Sequence, residues 1–203
     1  MNRALAKNIS SIHKALQSRQ RRRRFVSSLV WGGLGVGLAA VLGLLLWPAI
    51  RPALGEAIDL SVSTQDHIPE GTPPGPYPFD PPAGGAHYSR TLPAKFYEES
   101  DLPSLPKYPE GYLVHNLEHG HVIFWYNCNK LDESDCSGLK GQIRTLMEEF
   151  DGFKVVAFPW KAQQEPVIMT SWGKMQRFDN FDLDQARKFI YSNRNRGPEP
   201  NAP

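Results

Sequence analysis

The sequence predicts an α+β fold: an N-terminal single transmembrane helix, then a Pro/Gly-rich coil leading into a compact β-α-β-β-α domain on a small sheet. Three observations carry this. Phe25–Ile50 is a run of 26 residues without a charge, directly behind Arg21–Arg24. Pro69–Pro109 is dense in proline and glycine. Beyond Tyr112, short β-branched and aromatic runs alternate with stretches of helical apolar spacing.

The apolar run comes first. At about 1.5 Å per residue its helix spans roughly 39 Å, against a hydrocarbon core of about 30 Å. A cleaved signal peptide has an apolar core of about 7–15 residues and a small-residue cleavage site. Here the core is longer, and Trp47, Pro48 and Arg51 close it, so an uncleaved anchor is expected. Gly33 and Gly37 form a GxxxG step, which lets helices approach closely.

Orientation follows from charge. Residues 1–24 carry Arg3, Lys7, Lys14, Arg19 and Arg21–Arg24 with no acidic residue. Basic flanks stay on the cytoplasmic side. The expectation is a bacterial plasma (inner) membrane protein, single-pass, with the N-terminus cytoplasmic and the bulk of the chain outside. Leu5, Ile9, Ile12 and Leu16 share a helical face among basic residues, the pattern of a helix lying on the inner leaflet. Membrane lipid is therefore the partner expected for residues 1–50. Residues 60–203 hold 14 Lys+Arg and 19 Asp+Glu, a formal charge of −5. The net +2 of the whole chain comes from the tail. It argues for anionic lipid and against nucleic acid as a partner.

The expected organisation is a cytoplasmic tail (1–24), a transmembrane helix (25–50), a linker (51–64), an extracytoplasmic α+β domain (65–197) and a C-terminal tail (198–203). Proline removes backbone donors and glycine loosens the chain, so the stretch to Pro109 is read as coil. Tyr77, Phe79, Tyr88, Phe96 and Tyr97 mark it as ordered, because disordered segments are poor in aromatics. Leu113–Val114 and His121–Tyr126 read as strand. Leu139–Phe150 has helical spacing at Leu139, Ile143, Leu146, Met147 and Phe150. Phe153–Phe158 and Val167–Trp172 read as strands, with Gly173 closing the latter. Leu183–Tyr191 reads as helix with Asp182 as N-cap.

Cys128 and Cys136 are the only cysteines. The polar loop between them and an oxidising compartment favour a structural disulfide over free thiols, and the spacing is not that of a C-x-x-C redox pair.

The chemistry is concentrated in VHNLEHGH, residues 114–121. Imidazole and carboxylate donors suit Zn or Cu. His87, His115, Glu118 and His119 are the candidate metal ligands, with His67 as an additional one. No catalytic residue is assigned. His115–His119 also reads H-x-x-E-H, the inverted zincin motif, which requires a helix. The flanking glycines and the β-like run after it argue against that context. No phosphate-binding glycine loop or G-x-S-x-G elbow is present outside the apolar run. The reading is therefore a membrane-anchored domain that binds a transition metal, rather than an enzyme. A metal-free structural or protein-interaction module of the cell envelope is the alternative, and a metal-dependent hydrolase is third. A protein or small-molecule partner outside the membrane is expected, of unspecified kind.

VHNLEHGHVIFWY, PPAGGAHY, VVAFPW, PVIMTSWGKMQRFD and the final GPEP together resemble a bacterial family known as domain of unknown function 3105. The resemblance spans most of residues 65–200. It implies a membrane-anchored or secreted domain without an assigned activity. The family's recurrent polar positions fall on His67, His87, His115, Glu118 and His119, while His121 stands apart from them.

Overall fold

The computed structural model describes residues 31–43, 53–62 and 65–202. The chain divides into two units, Met1–Arg51 and Pro52–Pro203. In the first, residues 31–43 form helix α1, exposed along its described length. Among the described residues no helix is long and apolar enough to cross a membrane. The tail and the two ends of the expected Phe25–Ile50 helix lie outside the described residues.

The second unit is α+β, built on one five-stranded mixed sheet. Its elements are β1 (Glu56–Ala57), α2 (Pro109–Glu118), β2 (Val122–Tyr126), α3 (Glu133–Glu149), β3 (Val155–Pro159), β4 (Val167–Ser171), β5 (Lys174–Phe178) and α4 (Leu183–Asn193). The strand order is β1-β5-β4-β2-β3. β2 and β3 run parallel through the α3 crossover, and the other pairs are antiparallel.

β2 explains its own sequence. All five of its residues are buried. Val122, Phe124 and Tyr126 face one side, packing with Leu139, Ile143 and Leu146 of α3 and Phe189 of α4. Ile123 and Trp125 face the other, packing with Tyr88, Tyr112, Leu113 and Leu117. A strand covered on both faces reads as a continuous apolar run, which is why VIFWY lacks alternation. One face of the sheet thus carries α3 and α4. The opposite face carries α2 and the Pro/Gly-rich coil.

Three differences from the sequence reading matter. Leu113–Val114 are helical and not strand. Pro109 takes the first position of α2, where its fixed φ fits and no N–H is needed. Residues Gly111–Leu117 are all buried, so the helix lacks the polar stripe that would have announced it. The reading also omits β5. Trp172 and Gly173 (φ +66°) make a two-residue hairpin loop between β4 and β5, although Gln176 and Arg177 dilute the strand's apolar signal. Third, residues 56–57, within the expected linker, pair with Met175 and Lys174 on β5.

The coil is ordered by backbone pairing and aromatic burial. Tyr97 donates its N–H to the Ala157 carbonyl at 2.8 Å, and Ala157 donates to the Lys95 carbonyl at 3.1 Å. This covers the outer edge of β3. Tyr88 and Tyr97 are buried against the sheet face. Cys128 and Cys136 form a disulfide, with Cα atoms 5.3 Å apart, between the end of β2 and the first turn of α3.

Candidate metal centre

Two local structures build the site. The first is a pair of extended segments. His67 and His87 form an isolated parallel bridge. Ile68 donates to the His87 carbonyl at 2.8 Å and His87 donates to the Asp66 carbonyl at 3.3 Å. Gln65 ties the same segments together, accepting from the Gly85 N–H at 2.8 Å and donating to the Leu60 carbonyl at 3.0 Å. The second is α2. His115 and Glu118 stand three residues apart, on one helical face. Asn116 anchors the helix to the coil. Its side chain accepts from the Leu92 N–H at 3.0 Å and donates to the Leu92 carbonyl at 2.8 Å, fully buried.

These structures bring four ligand atoms, from His67, His87, His115 and Glu118, within 4.8 Å of one another. Glu118 Oε2 lies 2.9 Å from His87 Nε2, 3.4 Å from His115 Nδ1 and 3.5 Å from His67 Nε2. His67 Nε2 lies 3.2 Å from His115 Nδ1. Zn–N bonds of about 2.0–2.1 Å put neighbouring ligands about 3.3–3.4 Å apart in a tetrahedron, and about 2.8–3.0 Å apart in an octahedron. The spacings of 2.9, 3.2 and 3.4 Å lie in or between those ranges, and the 3.5 Å from His67 to Glu118 lies just above them.

The hydrogen bonding fixes how these groups are presented. His87 Nδ1 stands 2.7 Å from the Gly85 carbonyl oxygen. A carbonyl only accepts, so Nδ1 carries the proton and donates. Neutral His87 then presents the Nε2 lone pair to the Glu118 carboxylate at 2.9 Å. Two acceptors so close need a cation, either a proton or a metal ion. A fixed tautomer of this kind is how metal-binding imidazoles are oriented. Burial holds the His115 imidazole well below its ordinary value, at about 4, with the neighbouring His119 and His87 adding to the effect. His115 therefore keeps one ring nitrogen lone pair free to bind a cation at neutral pH.

Solvent reaches the site from one side. The His87 side chain is fully buried, those of His115 and Glu118 are 6% and 13% exposed, and that of His67 is 48% exposed.

His119 and His121 lie outside the group. α2 ends at Glu118, and His119 is its C-cap, with its N–H on the His115 carbonyl. The His119 ring stays beside His115, 4.4 Å between centroids, while Nε2 is 3.6 Å from Glu199 Oε2. The helical context of H-x-x-E-H is thus present, but the roles differ from that motif. Glu118 joins the ligand group and His119 does not. His121 is buried with Nδ1 unpartnered, and burial lowers its imidazole to about 4. Gln65 and Asn116 leave no local signal in the sequence, because they act across 20 and 24 residues of chain, and the Gly85 carbonyl, two residues from His87, is a backbone group that residue type does not announce.

No curated protein and no solved structure matches the chain. Residues 72–203 match the family model described as a protein of unknown function, DUF3105. That match takes in His87, His115 and Glu118 and begins five residues after His67. The chain belongs to the DUF3105 family.

Proposed function

We propose that this domain binds a divalent transition metal through His67, His87, His115 and Glu118, outside the membrane to which the chain is anchored. The observation that carries the metal reading is the convergence of three imidazole nitrogens on one carboxylate oxygen, at 2.9, 3.4 and 3.5 Å. Three imidazoles, one carboxylate and no thiolate suit Zn²⁺ or Cu²⁺. The anchor and its orientation are supported by the uncharged run Phe25–Ile50 and the basic residues before it. The Cys128–Cys136 disulfide supports an oxidising compartment.

The test is metal analysis of the full chain, purified without added metal, followed by titration with Zn²⁺ and Cu²⁺. About one equivalent per chain is expected. His87→Ala and His115→Ala should lose it, and His121→Ala should keep it. A wild-type chain that holds no metal and takes up neither ion rejects the proposal in favour of an interaction module.

A further inference from the structure

The end of α2 is capped in an unusual way. A helix leaves its last carbonyls without intrahelical donors. Here the carbonyls of three successive residues at that end are taken by distant groups, two by the segment 195–199 and one by Lys154. Glu199 donates its N–H to the Glu118 carbonyl at 3.0 Å, and Asn195 donates to the Gly120 carbonyl at 2.7 Å. The His119 carbonyl accepts from Lys154 Nζ at 2.9 Å.

Lys154 is the pin of this arrangement. It is 7% exposed. Its three N–H donors are shared among the His119 carbonyl and three further oxygens, Asn195 Oδ1 at 3.1 Å, the Pro200 carbonyl at 2.7 Å and the Ala202 carbonyl at 3.2 Å. One buried cation thus ties the segment 195–202 to the helix end, where a positive charge also complements the helix dipole. Lys154 is held at φ 54°, a left-handed conformation that a lysine keeps only where its surroundings fix it. The approach is close. A Cβ added at Gly197 would lie 1.9 Å from the Glu118 carbonyl oxygen and 2.7 Å from Gly120 N. No side chain fits there.

We infer that the segment 195–202, pinned by Lys154, is a clamp that fixes the backbone of Glu118 and thereby sets the metal affinity of the site. The inference rests on the metal-binding reading above. Lys154 is a positioning residue. It acts through the backbone that carries Glu118, the last residue of α2. His115 lies one turn deeper, where its own carbonyl is bonded within the helix by His119.

The test uses the full chain and Co²⁺ as probe, because its visible bands report ligand identity and geometry. Wild type, Gly197→Ala and Lys154→Met are compared for affinity, for the visible spectrum and for metal-free circular dichroism. Both variants should keep the metal-free fold. Both should bind Co²⁺ about 10–100-fold more weakly, as supports of metal ligands do, with altered bands because the carboxylate oxygen has moved. Equal affinity and an equal spectrum overturn the clamp. Weaker affinity with an unchanged spectrum also overturns it, because the site then forms unaltered in a less stable protein. If Gly197→Ala does not fold, a chain stopped after Gly197 replaces it. Loss of the fold in both assigns the segment to the core and overturns the inference. A wild-type chain that binds none of Co²⁺, Zn²⁺ and Cu²⁺ instead rejects the metal reading itself.

Discussion

Glu118→Gln should raise the stability of the metal-free protein while weakening metal binding, and the opposite signs make it a strong test. With neutral His87, Nε2 and Glu118 Oε2 are two acceptors 2.9 Å apart. The glutamine amide has nearly the same shape and can turn its NH₂ toward Nε2. One acceptor–acceptor contact becomes one buried hydrogen bond, worth about 0.5–1.5 kcal/mol net. For a domain of this size about 1 kcal/mol moves Tm by about 2–4 °C. The metal-free variant should therefore melt a few degrees higher at pH 8.5, where imidazoles are neutral. With metal the sign reverses. A four-ligand structural Zn²⁺ site is worth about 10–16 kcal/mol, or roughly 2.5–4 per ligand. An amide oxygen keeps part of that and loses the charge, so affinity should fall by about 100-fold. The assay is thermal melting with chelator and calorimetric titration with Zn²⁺. A fall in both quantities would refute the reasoning, because the carboxylate would then be a structural hydrogen-bonding group satisfied without any ion.

Three further outcomes are expected. His121 is buried and held near 4, against about 6.5 in an unfolded chain. Between those values the unfolded state binds more protons, so stability should fall as pH drops from about 6.5 toward 4. His121→Gln should flatten that acid slope in chelator-treated melts, and an unchanged slope would place the acid sensitivity elsewhere. Replacing Cys128 and Cys136 together by Ser should cost about 2–3 kcal/mol by loop-closure entropy, since the bridge spans a separation of eight residues. Denaturant melts of oxidised and double-Ser proteins check this, with no difference as the contrary result. Protease added to intact cells should digest residues 53–203 and spare residues 1–24; protection of the domain would reverse the proposed orientation.

Part of this architecture is legible in the sequence. β2, β3 and β4 are dense in β-branched and aromatic residues because each is fully buried. α3 and α4 show helical spacing because each has an outer face in water. α2 does not, since its residues are buried nearly all round, and a helix without a polar face has no visible period. The end of that helix also decides which side chains of the cluster meet. Taken as extended, residues 115, 119 and 121 share a face; as helix, 115 and 118 do, and the helix stops before 119. The placement of His67 depends on the bridge to His87 across 20 residues and on Gln65 holding Gly85. Neither pairing has a local signature. Histidine density located the chemistry, while the backbone decided which histidines take part.

The same geometry accounts for the ordered coil. Prolines and glycines alone would leave residues 69–109 mobile, and loops of that length without regular structure are usually disordered or functional. Here the coil makes a cover for the second sheet face, with Tyr88 and Tyr97 as its buried side chains. It also carries His87 and fixes the His87 tautomer through its own Gly85 carbonyl. His67 and His115 are separated by 48 residues, and His87 and Glu118 by 31. An unfolded chain cannot hold these four groups together, so an ion that binds them stabilises the folded state alone. On the proposed reading the coil, the helix and an ion would favour one another, and the exposed His67 would be the ligand through which an ion is gained or lost without opening the core.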